Sequence, residues 1–394
     1  MYFIYNLIIR LYGISIGITS LFYTKACAWR NNRRNWKNKL RENVKKNKIY
    51  IWIHCASAGE LEQAIPLIQQ IKRKDNNIKI AVSFFSSSGF DLYKDSNWAD
   101  VFFNLPLDTK ENAEKLIKIL NPKFVLFIRN EIWWNFLNTL QKNKINCYLV
   151  NANLQQKKNY FYQKYLDKVY PLFTKIFDTT TYGNTKIERV IFNNQEKFCN
   201  EVLEKFCKDS FTIILGSSWQ TEENQMAAFY KKYKSKFPTL KIIIAPHEFN
   251  ETKGVALENL FGEKIITYTK PTSFKSNLSI LLLDEKGILK YVYRYANIAI
   301  IGGGFEKTVH NINEASVYGI PVIFGPNYEK FEEIQPLVDI GIAFPVGDYN
   351  AFEKTLLFFL ENNHWQTDII KKSAHFFSNT QQISERIIDE ILYS

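Results

Sequence analysis

Residues 49–54 read IYIWIH, and the chain then turns through Cys55-Ala56-Ser57-Ala58-Gly59-Glu60 into a helical pattern over 60–73. A near-continuous apolar run of this length suits a strand buried on both faces, the environment of a parallel sheet. Small residues and Gly59 permit a tight turn, and Ser57 is a good helix N-cap. The pattern recurs. Further strand runs lie at 78–84, 100–103, 123–128 and 145–150, with a helical pattern over 109–120. A second series runs through 211–215, 240–245, 264–267, 279–283, 297–301 and 321–324. Residues 155–210 between them are polar, Lys/Asn-rich and without a clear strand. The reading is two doubly wound α/β domains joined through that region.

The composition agrees. The chain has 394 residues, 46% hydrophobic and 23% charged, which excludes wholesale disorder and a polytopic membrane protein. The net charge is +12, but residues 1–48 hold eleven Lys/Arg against one acid, Glu42, and so carry +10 of it. The remainder is nearly neutral, which argues against a nucleic-acid-binding body. The five cysteines are odd in number and lack a C-x-x-C pair, so a disulfide framework or structural zinc site is not expected.

Residues 1–23 contain a single charge, Arg10. As a helix they would run about 35 Å, enough for a marginal span or for a helix lying in the membrane interface. Ala26-Cys27-Ala28 has the form of a signal cleavage site, yet the Lys/Arg cluster that follows opposes translocation. The expectation is a retained anchor with a cytoplasmic body, its basic block facing anionic lipid. The expected division is an anchor helix over 1–24, a juxtamembrane segment over 25–48, a first domain over 49–180, a connection over 181–210, a second domain over 211–375 and a terminal helix over 376–394.

In doubly wound sheets ligands sit beyond the carboxyl ends of the strands. Five unusual loops occur there. Glu60 falls in a first helical turn, where it either favours the helix macrodipole or serves as a general base. Arg129-Asn130-Glu131-Ile132-Trp133-Trp134-Asn135 places a second acid at the same edge. Gly302-Gly303-Gly304 follows a strand and precedes His310-Asn311-Ile312-Asn313-Glu314, where a helix opens. Backbone N–H groups and a helix N-terminus there make a phosphate seat, and Glu314 is placed to bind ribose hydroxyls. Gly216-Ser217-Ser218 and Pro246-His247 stand at the same edge of the second sheet. There is no D-x-D and no H-E-x-x-H, so no catalytic metal is expected.

Together these motifs resemble the 3-deoxy-D-manno-octulosonic acid (Kdo) transferases of lipid A assembly, from the N-terminal segment to about residue 375. The stretch 54–60 is similar to the family's H-x-x-S-x-G-E, which implies Glu60 as catalytic base with Ser57 and Gly59 in the acceptor-side loop. The stretch 130–135 resembles T-E-[IL]-W-P-N, which implies that Glu131 assists the transition state. Gly183-Asn184-Thr185-Lys186 resembles G-N-[LT]-K and implies the same for Lys186. The resemblance implies nucleotide contacts at Pro246 and His247, at Gly287, Ile288 and Leu289, and at Gly303 and Asn311, Ile312, Asn313 and Glu314. Residues 325–331 resemble G-P-x-x-x-N-F. The chain departs from the family at Trp134 for Pro, at Ile288 for an acid and at Trp219 for His, and it is short between Phe177 and Gly183.

The resemblance implies a GT-B glycosyltransferase, two Rossmann-like domains facing a cleft, with the acceptor on the first and CMP-Kdo on the second. The implied reaction is inverting, metal-independent transfer of Kdo from CMP-Kdo to the lipid A precursor lipid IV(A), without a cofactor, at the cytoplasmic side of the inner membrane. The alternatives are a GT-B enzyme using a UDP-sugar and a lipid-linked acceptor, and an inactive relative.

Overall fold

Every residue of β1 (Tyr50–Cys55) is buried, as its apolar run requires. Alternate side chains enter opposite cores: Ile51, Ile53 and Cys55 one, Tyr50 and Trp52 the other. The computed structural model describes all residues except 46, 130, 155–158, 272–277, 332, 363, 381 and 394. Lys46 of the basic block and Asn130 of the second motif therefore lie outside the described residues.

The chain divides into two units, Met1–Arg189 with Gln382–Ser394, and Val190–Gln381. In the first, β1 pairs in parallel with β2 (Lys79–Phe84) and β4 (Pro122–Ile128). The sheet is completed by β3 (Val101–Asn104), β5 (Asn146–Ala152) and β6 (Lys175–Asp178), in the order β3-β2-β1-β4-β5-β6. The order reverses between β1 and β4, and that reversal is the switch point at which ligands bind. The helices are α1 (Tyr2–Thr19), α2 (Thr24–Arg33), α3 (Trp36–Asn43), α4 (Ala58–Lys74), α5 (Ser87–Tyr93), α6 (Lys110–Leu120), α7 (Trp134–Lys142), α8 (Tyr160–Val169) and α9 (Thr185–Gln195), which crosses the unit boundary.

The helix α1 is long and apolar enough to cross a membrane by length and composition. Its first turns are nevertheless bound to the unit. Tyr2 donates to Asn135 at 2.6 Å, Tyr5 donates to Asp108, and Asn135 donates to Asn6 at 3.0 Å. Phe3, Ile4, Ile8, Ile14 and Ile18 remain exposed on the other side. Part of the basic block is structural. The Arg33 guanidinium is buried, 3.8 Å from the Trp29 ring, and donates to the carbonyls of Leu105 (2.7 Å) and Phe85 (2.6 Å). Burial lowers its pKa to about 9.

The second unit holds β7 (Phe211–Ser218), β8 (Leu240–Pro246), β9 (Ile266–Thr267), β10 (Ile280–Leu282), β11 (Ile298–Ile301), β12 (Val322–Phe324) and β13 (Ala343–Pro345). Its parallel order is β13-β12-β11-β7-β8-β10-β9, with the switch point between β7 and β11. Two strands were not expected, β6 and β13. Both are short edge strands, and one ends in Asp178 and the other in Pro345. The single terminal helix expected over 376–394 is instead the end of one helix followed by a second. Trp365–Ser378 belongs to the second unit, whereas Ile383–Tyr393 returns to the first and buries Ile383, Ile387, Ile388 and Ile391 against the β1 core.

Candidate functional site

The loops after β1 and β4 leave the first sheet side by side at its switch point. Ser57 occupies the N-cap position of α4, but its hydroxyl makes no capping bond, and Ser57 and Gly59 are exposed. The half-buried Glu60 instead reaches back to the preceding loop and accepts the Ala56 N–H. Burial pushes the Glu60 carboxyl up to about 7, and the Glu131 charge adds to this. The Ala56 N–H and the Arg129 guanidinium oppose the rise. A carboxylate titrating there is matched to proton abstraction near neutral pH. Cys55, buried beside Glu60, has its thiol pushed well up by burial and by that charge, so it stays protonated.

The second loop begins with Arg129 at φ +64°. Left-handed backbone at a non-glycine residue costs about 1–3 kcal/mol and tends to collect at functional sites. Asn151 near the end of β5 and Ser217 within β7, with φ of +58° and +51°, share this feature. Glu131 is partly exposed, its carboxylate 3.9 Å from Nε2 of His54. His54 is wholly buried near the end of β1. Trp133 donates its indole N–H to His54 Nε2 at 3.1 Å, and His54 Nδ1 lies 2.8 Å from Ser83 Oγ.

Lys186 stands in the first turn of α9. The preceding Thr185 donates to the Gln63 carbonyl at 2.6 Å, and Asn151 donates to both Gln63 (3.1 Å) and Thr185 (2.7 Å). Gln63 is one turn beyond Glu60 on α4. The structure thus brings Glu60, Glu131 and the start of α9 to one sheet edge.

In the second unit, the glycine run is shaped by close packing. A Cβ at Gly302 would meet Ser217 O at 2.2 Å, and one at Gly304 would meet Gly325 at 2.7 Å. The Gly303 N–H, expected to face a phosphate, donates to Glu222 at 3.0 Å, and the Gly302 N–H donates to Gly216 O at 2.9 Å. The helix expected near 313 is one turn, Asn313–Ser316, too short for a useful macrodipole. Ile312 is fully buried, so its side chain is core rather than ligand contact. Asn311 donates to Glu314 at 2.9 Å. Gly287 has φ +87° with open space around it, and Ile288 and Leu289 pack on the core margin.

Pro246 ends β8, and His247 follows it into a three-ring stack. Its centroid lies 4.6 Å from Trp219 and 4.5 Å from His310. Burial, with the charge of His247, lowers the His310 pKa. Glu222 and Glu223 are both fully buried. Glu222 accepts from Trp219 N (3.0 Å) as well as Gly303 N. Glu223 accepts from Ser218 (3.0 Å) and pairs with Lys253 (2.7 Å). The sequence reading passed over these two acids, His54 and Trp133. His54 and Trp133 lay inside quoted motifs, while the two acids look like an ordinary helix start. Among the described residues no three His, Cys, Asp or Glu side chains cluster to hold a metal.

Two parallel α/β units, each with its unusual loops at a switch point, define a GT-B-type fold. A solved UDP-GlcNAc 2-epimerase from Neisseria meningitidis matches with a TM-score of 0.62 at 15% identity, over 88% of this chain and 100% of that one, a likeness of fold alone. Residues 30–196 match the family described as 3-Deoxy-D-manno-octulosonic-acid transferase (kdotransferase). The 3-deoxy-D-manno-octulosonic acid transferase of Aquifex aeolicus is 28% identical over 306 residues, 76% of this chain and 82% of that one. That of Rickettsia felis is 26% identical over 366 residues, 87% and 78% of the two chains. The chain is thus similar to the Kdo transferases, by the family match over residues 30–196 and by relatives that align with most of its length.

Proposed function

We propose that the chain transfers Kdo from CMP-Kdo to the lipid A precursor lipid IV(A), with inversion and without a metal. The observation that carries the mechanism is the pair of carboxylates at the first switch point, with Glu60 pushed up to about 7. Glu60 takes the proton from a glucosamine hydroxyl of the acceptor as its oxygen bonds to the anomeric carbon. The bond to the phosphate oxygen breaks, and CMP leaves with the electron pair. A positioned base typically supplies a factor of ~10²–10⁴. Glu131 assists the transition state, and Lys186 meets negative charge on the departing phosphate. The donor is held by the second unit through Pro246, His247 and the 287–289 and 311–314 segments, with Gly303 shaping the loop. The exposed apolar side of α1 and the juxtamembrane cations fit association with an anionic inner-membrane surface on the cytoplasmic side.

The test is transfer from CMP-Kdo to tetra-acylated lipid A precursor in EDTA, wild type beside Glu60→Ala, with the product mass counting Kdo units. Transfer by the wild type alone is the expected result. Transfer only from a UDP-sugar, or undiminished transfer by the variant, overturns the reading.

A further inference from the structure

Trp133 sits where the first unit's N-terminal helices meet its carboxylate loop. Its ring stacks on Phe85 at 5.1 Å, with 29° between the planes. Phe85 in turn contacts Trp29 of α2 at 6.1 Å and Tyr12 of α1 at 6.5 Å. The Phe85 carbonyl is held by the buried Arg33. On its other side Trp133 donates to His54 Nε2, the nitrogen facing Glu131.

An indole N–H can only donate. The His54 Nε2 must therefore be an acceptor, and the proton of the neutral ring sits on Nδ1, facing Ser83. This tautomer is assigned from its partners. Its consequence is local. An N–H on Nε2 would aim at the Glu131 carboxylate 3.9 Å away and draw it into the wall as a charge-assisted hydrogen bond. With Trp133 in place Glu131 receives no donor from His54. Its charge remains available to substrate and to its neighbour Glu60. Among the described residues, the other charged or titratable groups around this cluster include Arg129 on the loop, Cys55 at the end of β1, Arg33 on α2, Tyr12 on α1, and Tyr162 and Tyr165 on α8.

We propose that Trp133 is a positioning residue. By donating to His54 and stacking on Phe85, it fixes the tautomer that leaves Glu131 uncommitted, and it ties this carboxylate to the seated N-terminal helices. The kinetic side of this inference rests on the proposed transfer reaction, whereas the tautomer does not.

The variant is Trp133→Phe in the full-length chain in detergent, which keeps the stacking ring and removes the N–H. The first readout is the imidazole ¹⁵N spectrum of ¹⁵N-histidine-labelled protein, simplified by a total of five histidines. Wild type is expected to show His54 protonated at Nδ1, and the variant to move the proton to Nε2. The second readout is kinetic. The variant is expected to lose roughly 10- to 100-fold in kcat, the scale of an ångström-level misplacement, with the KM for CMP-Kdo and the melting temperature unchanged. A wild-type His54 protonated at Nε2 overturns the inference. So does a variant whose tautomer and kcat both match wild type, or one whose loss tracks a lowered melting temperature. If the wild type transfers no Kdo at all, the functional reading fails separately and the spectrum alone decides the role of Trp133.

Discussion

Glu60 serves two ends with one side chain. Its carboxylate accepts the Ala56 N–H in the loop before α4, and burial beside Glu131 holds its proton up to about 7. The folded pKa lies above the ordinary glutamate value, so between about pH 4.5 and 7 the native state keeps a proton that the unfolded chain releases. Folding therefore loses stability as pH rises through that window. The catalytic sign is opposite, since a base works only once ionised, and kcat is expected to climb with pH through about 7 and level off above it. Glu60→Gln should lose ~10²–10⁴ in kcat while melting no lower than wild type at pH 8. A pH–rate profile and melting curves at pH 5 and 8 check both halves. A variant that loses activity only in step with its melting temperature would return Glu60 to a structural role. Gly302 offers a contrast in the second unit. A Cβ there meets Ser217 O at 2.2 Å, whereas at Gly287 it meets nothing and only φ +87° resists it. Gly302→Ala should cost well over the ~1–3 kcal/mol of ordinary overpacking, and Gly287→Ala about the strain of one left-handed residue, ~1–2 kcal/mol. Urea titrations of the two would rank them.

At the scale of elements, α1 depends on a buried carboxylate. Asp108 accepts the Tyr5 hydroxyl and the N–H groups of Asn135 (3.0 Å) and Phe136 (3.0 Å), so it caps α7 and latches α1 together. Burial pushes it up to about 6, against the pull of these three donors. The exposed isoleucines of α1 and its latched tyrosines should separate by experiment. Replacing Ile4, Ile8, Ile14 and Ile18 with Ser should release the chain from anionic vesicles without lowering its melting temperature. Asp108→Ala should leave two buried N–H groups unpaired at ~1–3 kcal/mol each and lower the melting temperature by several degrees. Flotation and calorimetry on both variants decide this, and equal melting losses would sink it. The latch was invisible in the sequence, because Tyr5, Asp108 and Asn135 carry no local pattern and meet only through the fold. The eleven strands that were read announced themselves as apolar runs, because strands of parallel sheets are buried on both faces. β6 and β13 escaped because edge strands of three or four residues need no such run. The glycine run was legible as a special turn, but its purpose was not. Only the fold shows Gly302 and Gly304 making room for neighbouring loops, and Gly303 giving its N–H to Glu222.

At the scale of the whole chain, the last helix completes the first unit, not the second. Ile383, Ile387, Ile388 and Ile391 are buried in the core built on β1, β2 and α4. The same helix braces the turn that leads into α9. Glu188 accepts the Ser384 N–H at 2.9 Å, Arg386 donates to Tyr182 O at 2.8 Å, and a Cβ on Gly183 would sit 2.8 Å from Ile383. Four buried isoleucines at ~1.5–3 kcal/mol each amount to about the whole stability of a domain, ~5–15 kcal/mol. Ending the chain at residue 381 should therefore unfold or strongly destabilise the first unit, and the α9 turn that carries Lys186 with it. The second unit keeps its sheet and core intact, because all of β7–β13 lie between Val190 and Gln381. Calorimetry of the truncated chain should show the first unit's transition lost or displaced and the second unit's preserved. Adding CMP should raise the preserved transition, since a ligand that binds only the native form stabilises whatever part binds it. Both transitions falling together would mean that the two units fold as one cooperative body. A CMP shift confined to the first unit's transition in the full chain would move the nucleotide out of the second unit and away from Pro246, His247 and the 311–314 turn.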